Sequence, residues 1–151
     1  MTTPTAQFGG EEKFAAPPER LFAMLTDLDA LAASIPDLVS ADRPDANTLH
    51  CVVKPGFSFL RGTLRLAIAV EDVQPPRSAA MTIAAHGIGV SMQVRSSIEV
   101  EPADTGSRLR WTASLERMTG LLSSVSPGLV KAAADQTIRH AWRQVRQRLG
   151  E

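Results

Sequence analysis

The chain contains no tyrosine, and only five phenylalanines and two tryptophans among 151 residues. Aromatic side chains do much of the filling in an ordinary core, so here aliphatic and small residues must do it. A single cysteine, Cys51, excludes an internal disulfide and fits a reducing compartment. Net charge is also lacking, because 16 Lys+Arg balance 16 Asp+Glu. That balance argues against a nucleic-acid partner. No apolar run approaches the roughly 18 residues of a membrane span. The opening MTTPTAQFGG has neither a basic start nor an apolar stretch. It does not read as a signal peptide, and a cytoplasmic protein is expected.

What is present is alternation. In GTLRLAIAV, Leu64, Leu66, Ile68 and Val70 share one face of an extended strand, and Thr63, Arg65, Ala67 and Ala69 share the other. SAAMTIAAHG sets Met81, Ile83 and Ala85 against Thr82, Ala84 and His86. VSMQVRSSIEVE sets Met92, Val94, Ser96, Ile98 and Val100 against Gln93, Arg95, Ser97 and Glu99, and SRLRWTASLE sets Leu109, Trp111, Ala113 and Leu115 against Arg108, Arg110, Thr112 and Ser114. Short turn signals separate these runs, which predicts half-buried antiparallel strands. DLVSADRPDANTLHCVVKPG offers two more around Arg43–Asn47, and TAQFGGEEKFAA reads as an opening strand whose glycine pair marks a bulge.

Two short helices are expected between the first strand and the rest. In PPERLFAML, proline occupies the first turn and Leu21, Phe22 and Leu25 share a side. In TDLDALAASI, Thr26 or Asp27 is the cap and Pro36 enforces an end near Ser34. A long helix over Pro127–Leu149, with Ser126 as its cap, closes the chain. Its apolar stripe is Val130, Ala133 or Ala134, Ile138, Ala141 or Trp142, Val145 and Leu149. Asp135 and Arg139 stand four apart, and Arg143, Arg146 and Arg148 suit the negative end of the dipole. The predicted architecture is α+β: a curved antiparallel sheet of about seven strands against a long C-terminal helix, one domain over residues 1–151.

A slim helix touches a bent sheet along a line, and GLVKAAADQT, the segment expected to lie deepest, presents the small residues Val130, Ala133, Ala134 and Thr137. Either helix and sheet approach closely, or space is left for a small molecule. The lining of such a cavity is expected from Leu64, Leu66, Ile68, Met81, Ile83, Met92, Val94, Trp111, Leu115, Leu122, Val130 and Ala134. Phe57 and Phe59 in KPGFSFLRG, with Leu121 in MTGLLSSVSPG, are the candidates for its mouth.

APPERLFAMLTDLDALAASIPDL, VVKPGFSFLRGTLRLAIAVEDVQPPRSAAMTIAAHG, GSRLRWTASLE and the closing helix together resemble the START/Bet v 1-like helix-grip superfamily (SRPBCC). Within it, the sequence is most similar to the CoxG-like group of carbon monoxide dehydrogenase proteins. The resemblance implies a helix-grip fold with an apolar cavity between helix and sheet. It further implies a role accessory to a molybdenum hydroxylase of the carbon monoxide dehydrogenase type, in membrane recruitment or in handling a quinone or lipid-like molecule. Two departures are visible. The group's Ile-Pro-Gly is Ile35-Pro36-Asp37 here, so the turn lacks glycine's freedom. Members often carry a tail beyond the long helix, whereas this sequence ends at Glu151, so membrane contact is not expected.

Chemistry is sparse. His50, His86 and His140 are far apart with no zinc spacing, so no metal or cofactor is expected. Cys51 alternates with Leu49 and Val53 and reads as an inert buried side chain. Glu11, Glu12, Glu99 and Glu101 read as solvated surface. The expected inward face holds no acid–base group, so no catalytic residue is assigned. A polyketide cyclase or hydratase on the same scaffold would need one from His50, Glu116 or Asp135. The remaining alternative is a ligand-free interaction module. A monomer or homodimer fits either binding role.

Overall fold

The computed structural model describes residues 6–35, 37–54, 62–87, 89–120 and 127–151. The sequence candidates Phe57, Phe59, Leu121, Leu122 and Ser126 lie outside these residues. Seven strands form one antiparallel sheet: β1 Ala6–Phe14, β2 Leu38–Asp45, β3 Thr48–Val53, β4 Leu64–Gln74, β5 Ser78–Gly87, β6 Val90–Ala103 and β7 Gly106–Gly120. Their order across the sheet is β1-β7-β6-β5-β4-β3-β2. Helices α1 Pro18–Leu25 and α2 Leu28–Ser34 follow β1, and α3 Pro127–Leu149 comes last.

Local chemistry sets the helix boundaries. Pro18 occupies the first turn of α1, and the Thr26 hydroxyl donates to the Phe22 carbonyl at 2.9 Å to close it. Asp27 is the cap of α2, its Oδ1 accepting from the amides of Asp29 and Ala30 at 2.9 and 3.3 Å. Asp37 adopts φ 59. This is the left-handed conformation for which the resembling sequences use glycine, and aspartate is among the few side chains that tolerate it. At the far end of α3, Gly150 takes φ 78, and the amides of Gly150 and Glu151 reach the carbonyls of Gln147 and Arg146 at 3.1 and 2.8 Å. Such a paired closure satisfies carbonyls that the helix itself leaves open.

The register defines one helix-facing side of the sheet. Across its middle, Leu49, Ile68, Ile83, Val94 and Leu115 lie in one row, and Val70, Met81, Ser96, Ala113 and Phe8 in the next. Towards β1 the rows continue through Ile98, Trp111 and Gly10, then Val100, Leu109 and Glu12. A β-bulge between Gln93 and Val94 of β6 sets them against Arg117 and Leu115, so Glu116 is the extra residue. It brings Met118 to the same side as Leu115, opposite Met92. Strand alternation alone does not foresee this, and β7 accordingly runs on to Gly120.

Two expectations need correction. Gly9 and Gly10 pair with Thr112 and Trp111 in unbroken register, so the glycine pair is no bulge. Instead, a Cβ at Gly10 would stand 3.1 Å from the indole of Trp111, and the glycine leaves room for that ring. The deepest part of α3 is its C-terminal half, where Leu149 is 5% exposed while Leu129 is 54% exposed. Thr137 is exposed, its hydroxyl donating to the Ala133 carbonyl at 2.9 Å.

Candidate ligand-binding site

The C-terminal end of α3 is fastened to the β1–α1 junction by polar contacts. The Glu151 carboxylate accepts from the Ala15 and Ala16 amides at 2.8 and 3.1 Å. Arg146 donates to the Lys13 carbonyl at 2.7 Å and to Glu12 Oε2 at 3.1 Å. Its guanidinium also lies 4.4 Å from the centre of the Phe14 ring. By spacing alone this arginine serves the helix dipole and Glu12 faces solvent. In the structure each holds the other, because even-numbered residues of β1 face the helix.

Aromatic contacts then link helix and sheet. Trp142, rather than Ala141, is the inward residue of the stripe, with Ala141 exposed. Its ring centre is 6.3 Å from Phe14 and 5.8 Å from Trp111, both in tilted arrangements. Three of the chain's seven aromatic residues therefore gather at the β1 end. The buried core continues there through Leu109, Val100, Leu21 and Leu149. A second buried group lies towards the other edge, with Leu49, Cys51, Val53 and Leu64.

Both groups belong to one continuous core, and against it pack side chains of the middle strands that keep some exposure. Met81, Ile83, Met92, Val94, Ile98 and Trp111 form a contiguous apolar patch on β5, β6 and β7, and all are half-buried. Val130, Ala133, Ala134 and Ile138 on α3 are half-buried too. Of the expected lining, Leu64, Ile68 and Leu115 are fully buried in the packed core, whereas Leu66, Met81, Ile83, Met92, Val94, Trp111, Val130 and Ala134 are the half-buried set. Sequence reading missed Gly10, Ile98 and Met118. The first was legible only as a glycine, and the last was displaced from the alternation by the bulge.

Two further hollows lie elsewhere. A groove of about 600 Å³ runs beside α3 past Glu12, Asp135, Arg139, Trp142, Arg143 and Arg146. Its charges are largely matched, with Arg139 bound to Asp135 at 3.0 Å and Arg146 to Glu12. A second hollow, of about 400 Å³, lies by β2, β3 and β4, bordered by His50, Arg65, Ala67 and His86.

The titratable groups do not form a reaction centre. His50 and His86 are exposed, and His86 Nδ1 is 3.3 Å from the Ser91 hydroxyl. Burial pushes the Cys51 thiol above its ordinary value, away from the reactive thiolate. Glu116 is half-buried at the bulge, and Asp135 is exposed and paired. Among the described residues, no group of three metal-binding side chains comes together, and no helix is long and apolar enough to cross a membrane.

Comparison with known proteins agrees with this architecture. Residues 10–150 match the family described as the carbon monoxide dehydrogenase G subunit (CoxG). No curated protein matches the chain. Among solved structures, a conserved protein from Geobacillus kaustophilus is 16% identical, with TM-score 0.88, over 96% of this chain and 95% of that one. Ara h 8.0201 is also 16% identical, with TM-score 0.72, over 97% and 99%. The protein XoxI from Bacillus cereus is 14% identical, with TM-score 0.66, over 94% of each chain. Identities this low establish a shared helix-grip fold and no shared role.

Proposed function

The chain belongs to the CoxG family of carbon monoxide dehydrogenase proteins, and on that premise we propose that it is a non-catalytic carrier holding an apolar small molecule between α3 and the sheet. The observation that supports this most is the half-buried apolar patch of Met81, Ile83, Met92, Val94 and Ile98 beside the buried core. An apolar surface facing a helix with small residues has the character of a small-molecule site, mostly hydrophobic with few polar groups. A quinone or lipid-like guest fits that lining. The family's description, a subunit of carbon monoxide dehydrogenase, supports a role beside such an enzyme; a molybdenum hydroxylase as that partner, and the cytoplasm as the place, belong to the same proposal.

An enzymatic reading on the same scaffold finds less support. Acid–base work needs a group within reach of the guest. The carboxylate on the helix-facing side of the strands, Glu12, is held by Arg146.

The test is direct. Native mass spectrometry of the protein from cell extracts should reveal a co-purifying quinone or lipid. Apolar ligands at about a hundredfold excess over Kd should add about 2.7 kcal/mol of stability and raise the melting temperature. Ala134→Trp should abolish that rise while the protein still folds. Absence of any stabilising ligand across a broad apolar panel rejects the carrier role.

A further inference from the structure

Both tryptophan indole nitrogens of this chain are buried, and neither Trp111 Nε1 nor Trp142 Nε1 has a hydrogen-bond acceptor among the described residues. Buried indole N–H groups ordinarily find a partner, because leaving one unmade costs the full desolvation of the group. The two unpartnered donors sit on neighbouring rings whose centres are 5.8 Å apart. One ring comes from β7 and the other from α3, so together they bridge the sheet and the helix that would enclose a guest. The Trp111 nitrogen lies over Gly10, where a Cβ would stand only 3.1 Å away. That glycine removes the one side chain from β1 that would otherwise press on the donor.

We propose that Trp111 and Trp142 are the polar end of the binding site, and that they select an uncharged apolar molecule carrying a carbonyl oxygen. The proposal rests on the carrier reading and names the chemistry of its ligand. Two neutral donors in an apolar setting satisfy a carbonyl's lone pairs at no cost in charge burial. A carboxylate there would need a cation. Of the guanidiniums that share a groove with Trp142, Arg146 is committed to Glu12 and the Lys13 carbonyl, Arg139 is bound to Asp135, and Arg143 is exposed to solvent. Burying an anion on neutral donors alone is costly. The rest of the guest would lie on Ile98 and the β5–β6 patch, which offer only apolar contact.

The chain supplies its own reporters, since with no tyrosine its fluorescence comes from these two tryptophans alone. Three probes of nearly equal body separate the possibilities: fluorene, 9-fluorenone and 9-fluorenecarboxylate. Binding is measured by tryptophan fluorescence and melting temperature. The two indole N–H resonances of the 15N-labelled full chain are followed by NMR. The expected result is that fluorenone binds about five- to tenfold more tightly than fluorene, and that both indole protons move downfield with fluorenone only. Trp111→Phe and Trp142→Phe, which keep an aromatic ring and remove one N–H, should each narrow the preference for fluorenone. Melting temperatures of the unliganded variants within a few degrees of the parent's show that the fold is intact, and the comparison is the fluorenone-to-fluorene affinity ratio within each variant. Equal binding of fluorene and fluorenone with unmoved indole protons overturns the donor pair and leaves the carrier reading standing. Tightest binding of the carboxylate overturns it in favour of an anion site. No binding of any of the three, together with no hit from the apolar panel, removes both proposals.

Discussion

Gly10 lies opposite Trp111 in the β1–β7 ladder, and the indole occupies the space that any side chain at residue 10 would take. Replacing glycine in a strand ordinarily gains about 0.5–1 kcal/mol. A methyl group here would press on the indole ring of Trp111, which must give by a few tenths of an ångström, at a cost of similar size. Gly10→Ala is therefore expected to leave the melting temperature nearly unchanged while shifting the Trp111 indole resonance. Gly10→Val, with two more carbons to seat, should destabilise by about 1–3 kcal/mol. Thermal denaturation and NMR of the two variants check this.

Asp37 holds φ 59 and its carbonyl accepts from the Lys54 amide at 3.0 Å. The left-handed conformation costs a side chain-bearing residue about 1–2 kcal/mol, and glycine little. Asp37→Gly should stabilise by up to about 1 kcal/mol after glycine's greater freedom in the unfolded chain is subtracted. Asp37→Val should destabilise instead. Urea denaturation of both gives opposite signs if the backbone governs this position.

Arg146 combines one carbonyl bond, one carboxylate and one aromatic face at the fastening of α3. The pair is about one-third exposed, with side-chain accessibilities of 34% and 32%, so its charge contribution is partly screened. Arg146→Met should cost about 1–2 kcal/mol. A double-mutant cycle with Glu12→Gln should return a coupling below about 1 kcal/mol, shrinking in high salt. A coupling of zero at low salt would show that the carbonyl and ring contacts carry the whole effect.

Ser107 is fully buried, and its hydroxyl donates to the Ala16 carbonyl at 2.7 Å. Ser107→Ala leaves that acceptor without its donor and should cost about 1–3 kcal/mol. Loss of less than half a kilocalorie would mean that the β1–α1 junction relaxes enough to find a replacement.

Cys51 carries a thiol raised by desolvation. A raised value favours the neutral form, so its contribution to stability is fully present below the ordinary thiol range and is lost as pH climbs through the folded value. Alkylation by iodoacetamide at about pH 8 should be far slower in the native protein than in urea, since the thiolate is the nucleophile. Stability should begin to fall only under alkaline conditions. Equal alkylation rates in the two states would place the thiol at the surface.

The strands were legible because alternation is a local property. Ile83, Val94 and Leu115 point to one side whatever the rest of the chain does, and the structure sets them in one row. The Asp27 cap and the start of α3 at Pro127 were equally local. Other residues depended on partners that sequence spacing does not reveal. The bulge at Glu116 turned Met118 inward by adding one residue to β7. The helical stripe admitted either Ala141 or Trp142, and only Phe14 and Trp111 across the interface selected the second.

The sequence by itself therefore determined the elements, their polarity and the family scaffold, since periodicity, caps and turn residues act over a few positions. Tertiary structure decided what those elements hold between them. Contacts such as Gly10 with Trp111, or Arg146 with Glu12, join residues about a hundred or more positions apart. They exist only once the sheet register and the seating of α3 are fixed together. That joint fixing is also what leaves the two indole N–H groups buried without an acceptor among the described residues.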